Sequence, residues 1–292
     1  MSVVIIINPV SGGVASSEVQ RRVTLATSVL GRLDEPGHVQ VSDRRGHARH
    51  LAAAAAAAGA RLVMAWGGDG TVNEVASGLV GGDTSLGIIP AGSGNGLARH
   101  LGVARQPEKA ISNALAATPR HIDVGEIAGR IFVNVAGIGF DAHVAGCFDR
   151  DTSGRRGLST YARITVRELW GYRPAVYHID DVARDRRALL VTFANSAQFG
   201  NGARIAPAAR VDDGLLDMVV FEEVSRWATV CGLPRLFNGT IGRLRGVSTE
   251  QVTQALVRAE RPIAFHVDGE PAQGGTSLHV KVRAGALRVC VT

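Results

Sequence analysis

Arg61-Leu62-Val63-Met64-Ala65-Trp66 runs directly into Gly67-Gly68-Asp69-Gly70-Thr71-Val72-Asn73-Glu74, and this junction decides the fold. A buried strand that ends in a glycine turn and continues as helix lets the backbone approach an anion with no Cβ in the way. The free N–H groups and the positive end of the following helix then stabilise it. Asp69 does not suit a bare anion site. A carboxylate beside a polyphosphate repels it unless a divalent cation lies between them, so the turn points to a metal–nucleotide complex.

Similar turns occur at two other strand ends. Val3-Val4-Ile5-Ile6-Ile7 reads as a buried strand that delivers Asn8-Pro9-Val10-Ser11-Gly12-Gly13, with a helix over 17–30. Leu86-Gly87-Ile88-Ile89 delivers Pro90-Ala91-Gly92-Ser93-Gly94-Asn95-Gly96, followed by a short helix over 97–101. Between them lie a strand over 37–42 and a helix containing the alanine run 52–58. Strands alternating with helices imply a parallel sheet, and such sheets bind ligands beyond the carboxyl ends of their strands. Asn8, Ser42, Asp69 and Ser93 would rim one crevice. Ser11 and Ser93 have no base partner and read as phosphate hydrogen-bond donors, and Thr71 as a helix-start hydroxyl. Beyond about residue 121 the pattern changes to short alternating or β-branched runs at 131–135, 175–179, 188–193, 216–221, 263–267 and 287–291. These predict a sandwich or folded sheet.

The three turns, together with Asp123-Val124-Gly125, Val211-Asp212-Asp213-Gly214-Leu215-Leu216-Asp217 and His266-Val267-Asp268-Gly269-Glu270, resemble the diacylglycerol-kinase-type lipid kinases, a superfamily that includes sphingosine and ceramide kinases. The resemblance covers nearly the whole chain. It implies an N-terminal Rossmann-like parallel α/β domain over 1–121 that binds ATP, and a C-terminal β-sandwich-like domain over 122–285 for the lipid, with the last strand, 286–292, returning to the first domain. It places ATP at Asn8, Ser11, Gly12, Ser42, Gly67, Gly68, Asp69, Gly70, Thr71, Val72, Asn73, Gly92, Ser93 and Asn95. It assigns Asp69 and Asp123 to a Mg²⁺–water network, and a second, structural Mg²⁺ to Asp213 with the backbone carbonyls of Arg210 and Leu215. Glu270 becomes the base that takes the proton of the attacking lipid hydroxyl. The residues alone leave alternatives: Asp268-Gly269 is a hairpin turn with Glu270 solvated, Asp213-Gly214 a plain turn, and Asp123 a turn carboxylate.

Two features depart from the pattern. Members acting on diacylglycerol often carry an aspartate where this chain has Gly96, which removes one carboxylate from the metal network. Gly92 to Asn95 is spelled as in sphingosine and ceramide kinases, so the acceptor stays open. No Walker lysine is present, and Lys109 and Lys281 are the only lysines. Two other readings are a kinase of a soluble hydroxyl compound, NAD kinases having a similar Gly-Gly-Asp-Gly-Thr turn, and a nucleotide-responsive lipid-binding protein without catalysis.

The formal net charge is +6, carried almost wholly by arginine, which favours anionic surfaces. No basic tail, zinc-finger spacing or aromatic RNA-binding motif is present, so nucleic acid is not an expected partner. No apolar run reaches the roughly 20 residues that span a bilayer, and the chain opens directly into its first strand, with no leader expected. Cys147, Cys231 and Cys290 are too scattered for a disulfide framework or a zinc site. The expected setting is the cytoplasm, with peripheral contact to an anionic membrane and possible homodimerisation. Two segments could dock there as mixed apolar and basic helices: Arg155-Arg156 through Arg163 and Arg167 to Trp170, and Trp227 to Arg245. His47, His50, His100 and His143 lack metal or triad spacing and read as structural or solvated.

Overall fold

The structure is a computed structural model that describes residues 2–12, 16–151, 157–179 and 185–291. Gly13 of the first turn and Arg155-Arg156 of the first docking segment lie outside the described residues. The chain forms two compact units, residues 1–122 with 285–292, and residues 123–284.

In the first unit, β1 (Val3–Ile7), α1 (Ser16–Arg32), β2 (Gly37–Val41), α2 (His47–Ala57), β3 (Leu62–Gly67), α3 (Asp69–Leu79), β4 (Ser85–Pro90), α4 (Gly96–His100) and α5 (Pro107–Ala116) alternate. The strands pair in parallel in the order β4-β3-β1-β2. β1 and β3 are buried along their whole length, as strands covered on both faces must be, which explains their unbroken apolar runs. The order reverses between β1 and β3, so their carboxyl ends flank the topological switch point where open α/β sheets take ligands. The alanine run has a packing reason. Ala48, Ala52 and Ala55 of α2 are buried, and a Cβ on Gly78 of α3 would stand 2.6 Å from the Arg49 carbonyl oxygen, so small residues let the two helices approach closely.

The second unit begins within β5 (Arg120–Ile127), followed by β6 (Arg130–Phe132), β7 (Val135–Gly139), α6 (Phe140–Arg150), α7 (Leu158–Gly171), β8 (Ala175–Ile179), β9 (Asp185–Ala194), β10 (Gln198–Gly200), β11 (Ala203–Arg204) and β12 (Leu216–Glu222). Then come α8 (Arg226–Gly232), α9 (Arg235–Asn238), a 3-10 turn at Ile241–Arg243, β13 (Val247–Val252), β14 (Gln254–Arg258), β15 (Ala264–Val267), β16 (Glu270–Gln273) and β17 (Ser277–Val289). Strand pairing inside this unit is antiparallel, in the order β16-β15-β7-β9-β8-β14-β17, with β12 joining β9 to β13. One apolar core forms among the strands around Phe132, Phe193 and Phe265, where truncating a buried phenylalanine costs about 3–5 kcal/mol. A second includes Phe140 and Val144 of α6 and Ile164 and Leu169 of α7. Gly125 has a local reason: its partner across β5–β6 is Phe132, and a Cβ would stand 1.9 Å from that ring's Cζ.

The chain returns to the first unit at the end of β17, where Val289 pairs in parallel with Leu86 of β4. The architecture is therefore a parallel α/β layer unit and a β-sandwich-like unit. Two elements differ from the sequence reading. The expected strand 131–135 is interrupted between β6 and β7, because the backbone there turns its N–H groups to a side chain described below. The expected helix over 227–245 is cut at Pro234 and at Gly239, which has φ 71°, into α8, α9 and the 3-10 turn.

Candidate functional site

In the first unit the turns after β1, β3 and β4 are bonded into one assembly. Asn8 donates from Nδ2 to Thr71 Oγ1 at 2.8 Å, and its Oδ1 accepts the Val10 N–H at 3.0 Å. Asp69 lies in the first turn of α3, whose cap Gly68 supplies no side-chain bond. The Asp69 carboxylate accepts the N–H of Asn95 on Oδ2 at 2.8 Å and of Gly96 on Oδ1 at 2.7 Å. Asn95, in the left-handed region at φ 51°, closes the third turn on itself by accepting the Gly92 N–H and donating to the Gly92 carbonyl, at 2.9 and 2.7 Å. The second and third turns also touch backbone to backbone. A Cβ on Gly92 would stand 2.6 Å from Gly68 Cα, and one on Gly67 would stand 2.3 Å from Thr71 Oγ1. The glycines are therefore required by the close approach of the chain itself.

Gly70 opens α3 beside Asp69, and Thr71, Val72 and Asn73 are buried within it. Ser93 is exposed at the tip of the third turn, and Gly12, at φ 80°, is exposed in the first. Ser11 and Ser42 are turned inward. Ser11 Oγ donates to the Asn8 carbonyl at 2.9 Å, and Ser42 Oγ donates to the Ile7 carbonyl at 3.4 Å. Behind Ser11 stands a residue that the sequence did not single out. Arg22 of α1 is buried, donates to Ser11 Oγ at 2.9 Å and to its carbonyl at 3.1 Å, and lies over the Trp66 ring at 5.9 Å. Burial draws its pKa below the usual arginine value against the pull of Glu18, yet a guanidinium stays charged. Glu74, the last residue of the opening motif, accepts the N–H groups of Gly46 and Ala48 at 2.7 and 3.1 Å and so caps α2.

Burial raises the Asp69 pKa, while the N–H groups of Gly96 and Asn95 and the charge of Arg99 pull it down. Its oxygens accept the N–H groups of Asn95 and Gly96, and its own N–H also bonds the carboxylate. That is a hard oxygen donor whose burial a cation would compensate, so the residue fits Mg²⁺ held through water.

In the second unit, the turn after β15 is a tight hairpin with Asp268 at φ 49° and Gly269 at φ 87°, the conformation an Asp-Gly pair favours. The buried Asp268 carboxylate accepts the N–H groups of Val133, Asn134 and Val135, each at 2.9 Å. This is the side chain that interrupts the strand expected over 131–135. It fixes the hairpin to β7, and Glu270, the next residue but one, starts β16 with Arg130 Nη2 at 3.5 Å from its Oε2. Asp123 is buried and accepts the Gly214 N–H at 2.7 Å, and Asp213 Oδ1 accepts the Leu215 N–H at 3.1 Å. Asn195, wholly buried, donates from Nδ2 to the carbonyls of Asp123 and Val133, both at 2.9 Å. It thus links the Asp213 turn to the loop that Asp268 holds. Arg210 turns its side chain to Asp212, at 3.3 Å, so its charge is matched by a neighbouring carboxylate. Asp123 and Asp69 belong to different units.

Among the described residues one trio of metal-type side chains converges, His143, Cys147 and Glu168. Two guanidiniums already serve it: Arg167 pairs with Glu168 at 2.8 Å and Arg150 donates to Cys147 Sγ at 3.6 Å. The group reads as an ion-paired helix contact. Cys147, Cys231 and Cys290 are free thiols.

A nucleotide-type α/β unit joined to a β-sandwich unit carrying an acidic hairpin defines a class, and comparison with known proteins gives the family. Residues 2–127 match the diacylglycerol kinase catalytic domain, and residues 134–291 match the YegS C-terminal NAD kinase beta sandwich-like domain. A probable lipid kinase YegS-like protein of Chromohalobacter salexigens is 32% identical, over 83% of this chain and 81% of its own. A Mycobacterium tuberculosis protein named diacylglycerol kinase is 34% identical, over 90% of this chain and 86% of its own. A solved diacylglycerol kinase structure from Bacillus anthracis superposes with a TM-score of 0.73 at 20% identity, over 100% of this chain and 97% of that one, a likeness of fold. The chain belongs to the YegS-like and diacylglycerol kinase family of lipid kinases.

Proposed function

We propose that this protein transfers the γ-phosphate of ATP to the hydroxyl of a lipid, diacylglycerol or a sphingoid or ceramide lipid, with Glu270 as the base and Asp69 as the principal Mg²⁺-organising carboxylate. The observation that carries the acceptor side is a cavity of about 1060 Å³ in the second unit, lined by Pro271 and Ala272 of the Glu270 strand and by Ala142, Tyr177, Ile263 and Arg258. A space of that size, its lining mixing apolar side chains with Arg173, Arg258 and Arg261 and with the carboxylates Asp185 and Glu260, suits part of a lipid and its polar head.

Phosphoryl transfer needs positioning and charge neutralisation more than covalent chemistry. The three bonded turns would supply backbone N–H groups and the start of α3, with buried Arg22 behind the first turn. Mg²⁺, when bound, would neutralise phosphate charge, held through water at Asp69 of the first unit, and Asp123 of the second unit would be a further carboxylate available to a cation. Asp213 and the carbonyls of Arg210 and Leu215 would hold a structural ion in the second unit. Lys281 pairs with Glu126 at 3.2 Å, which leaves the turns and the metal to act where other kinases use a lysine.

The acceptor also requires contact with a membrane surface. Among the described residues no helix is long and apolar enough to cross a membrane. Trp170 at the end of α7 and Trp227 in α8 meet edge to face at 5.7 Å and remain 46% and 70% exposed. Arg226 locks the two helices together by donating to the carbonyls of Leu169 and Tyr172, at 3.0 and 3.2 Å. The aromatic pair joins the two docking segments and suits the headgroup layer of an anionic bilayer.

The test is transfer from γ-labelled ATP with Mg²⁺ into diacylglycerol, sphingosine, ceramide and a mixed lipid extract, with Asp69→Ala and Glu270→Gln as controls. Labelled lipid that is lost in both variants supports the proposal. Label only in water-soluble product would replace it with a soluble-hydroxyl kinase, and ATP binding without transfer with a non-catalytic lipid-binding protein.

A further inference from the structure

Beneath the Glu270 hairpin lies a buried His–Asp pair that the transfer chemistry outlined above does not use. His266 of β15 and Asp141 of α6 are 2% and 4% exposed, and His266 Nε2 is 2.7 Å from Asp141 Oδ2. Asp141 Oδ1 accepts the Tyr161 hydroxyl of α7 at 3.4 Å, and Oδ2 accepts that of Thr192 of β9 at 3.5 Å. Space for the pair comes from a glycine. Gly137 of β7 is the cross-strand partner of His266, and a Cβ there would stand 2.0 Å from Asp141 Oδ2 and 2.4 Å from His266 Nε2.

The other ring nitrogen faces the turn. The Gly269 N–H donates to His266 Nδ1 at 3.2 Å. An Nδ1 that accepts cannot carry a proton, so the ring proton sits on Nε2 and is donated to Asp141. In a neutral imidazole the bond made at one nitrogen sets the role of the other. Asp141 therefore holds His266 in the tautomer that leaves an acceptor for Gly269, one residue before Glu270. Titratable groups around the ring are Asp141 from α6, Tyr161 from α7 acting through Asp141, and Asp268 from the turn. Burial opposes the charged ring, but Asp141, by charge and hydrogen bond, and Asp268, by charge, together raise its pKa. A proton gained at Nδ1 would set N–H against N–H and release Gly269.

We propose that His266 and Asp141 are positioning residues for Glu270, with the Asp141-fixed Nε2–H tautomer of His266 setting the hairpin angle through the Gly269 N–H. The inference rests on the lipid-kinase reading, in which Glu270 is the base. A misplacement of about 1 Å at a catalytic group costs on the order of 100-fold in rate, so the effect belongs in kcat and not in the KM for ATP.

The experiment compares the wild-type protein with His266→Asn, whose side-chain oxygen can take the place of Nδ1, and with His266→Leu and Asp141→Asn. Lipid phosphorylation is measured at a temperature where circular dichroism shows every variant folded. The expected order of kcat is wild type, then His266→Asn, then His266→Leu, with the last about 100-fold down and the KM for ATP unchanged. Equal kcat across the series, or losses in which Asn fares no better than Leu, would overturn the proposal while leaving the lipid-kinase reading intact. No transfer by the wild type would remove both. ¹⁵N NMR of the wild-type imidazole needs no variant to fold: an Nε2–H ring at neutral pH supports the proposal, and an Nδ1–H or doubly protonated ring refutes it.

Discussion

Removal of the Asp268 carboxylate tests how the acidic hairpin is held. Its two oxygens take three backbone N–H groups at 2.9 Å, Asn134 and Val135 on Oδ1 and Val133 on Oδ2, and the residue is 8% exposed. A hydrogen bond to a charged group contributes about 1.5–3 kcal/mol, and at the low end the three together come to about 4–5 kcal/mol. Asp268→Asn keeps Oδ1 for two of the donors and turns an NH₂ toward the Val133 N–H, so its cost should be about 2 kcal/mol. Asp268→Gly loses all three bonds but adopts φ 49° freely, whereas Asp268→Ala loses them and adds roughly 1 kcal/mol of left-handed strain. The expected order of damage is Asn, then Gly, then Ala. A chain of two compact units need not unfold in one step, so the readout is amide hydrogen exchange at Val133, Asn134 and Val135. Exchange that accelerates equally in all three variants, or by less than the equivalent of about 1 kcal/mol in Asp268→Ala, would refute the accounting.

Gly92→Ala should weaken ATP binding about tenfold, equivalent to about 1.4 kcal/mol, because its Cβ would press on Gly68 Cα at 2.6 Å and on Asn95 Oδ1 at 2.9 Å. Calorimetric titration with ATP checks this, and unchanged affinity would count against the packed turns as the nucleotide site. Asp217 has its pKa pushed up to about 6, first by burial and then by the charge of Asp213, against a Gln251 hydrogen bond. The folded state then binds this proton more tightly than the unfolded, so the group lowers stability as pH rises from about 4 through about 6. Asp217→Asn should therefore raise the melting temperature near pH 8, by the equivalent of about 1–3 kcal/mol, and leave it unchanged near pH 4; a gain of equal size at both would show that the carboxylate's charge is not the cause. Trp227→Ala with Trp170→Ala should reduce sedimentation with phosphatidylglycerol vesicles about tenfold while sparing activity on detergent-dispersed lipid. Undiminished vesicle binding would exclude this face from docking.

The strand ends were legible because fully buried parallel strands leave unbroken apolar runs, and because three such runs each end in a glycine turn. Parallel strands ending on one side point to a crevice rimmed by Asn8, Ser42, Asp69 and Ser93; in the structure Asn8 bonds Thr71 and Asp69 bonds the N–H of Asn95, while Ser42 bonds the Ile7 carbonyl and Ser93 is exposed. What each does there did not follow. Asp69 spends part of its acceptor capacity on the Asn95 and Gly96 N–H groups, and Ser11 its proton on Asn8, and only three-dimensional packing shows such pairings. Asp268-Gly269 signals a turn in the sequence and forms one, but the partners of the Asp268 carboxylate lie more than 130 residues away in sequence. Arg22 is one of several arginines in α1, and nothing local in the sequence separates it from its solvated neighbour Arg21. Pro234 and Gly239 are the local signals for the breaks in 227–245.

The return of the chain to the first unit has a consequence for its synthesis. The strand beside β4 is supplied by the end of β17, so the second unit is inserted between the parts of the first and is translated before the first can be completed. A ribosome that has finished β4 has made a parallel sheet whose β4 edge is open as well as its β2 edge, and a polypeptide stopped before the end of β17 keeps the β4 edge open. Open strand edges recruit other chains. The nascent first unit therefore carries an unpaired β4 edge until the end of β17 emerges, and chains cut short before that point would differ from the full fold by aggregating through that edge.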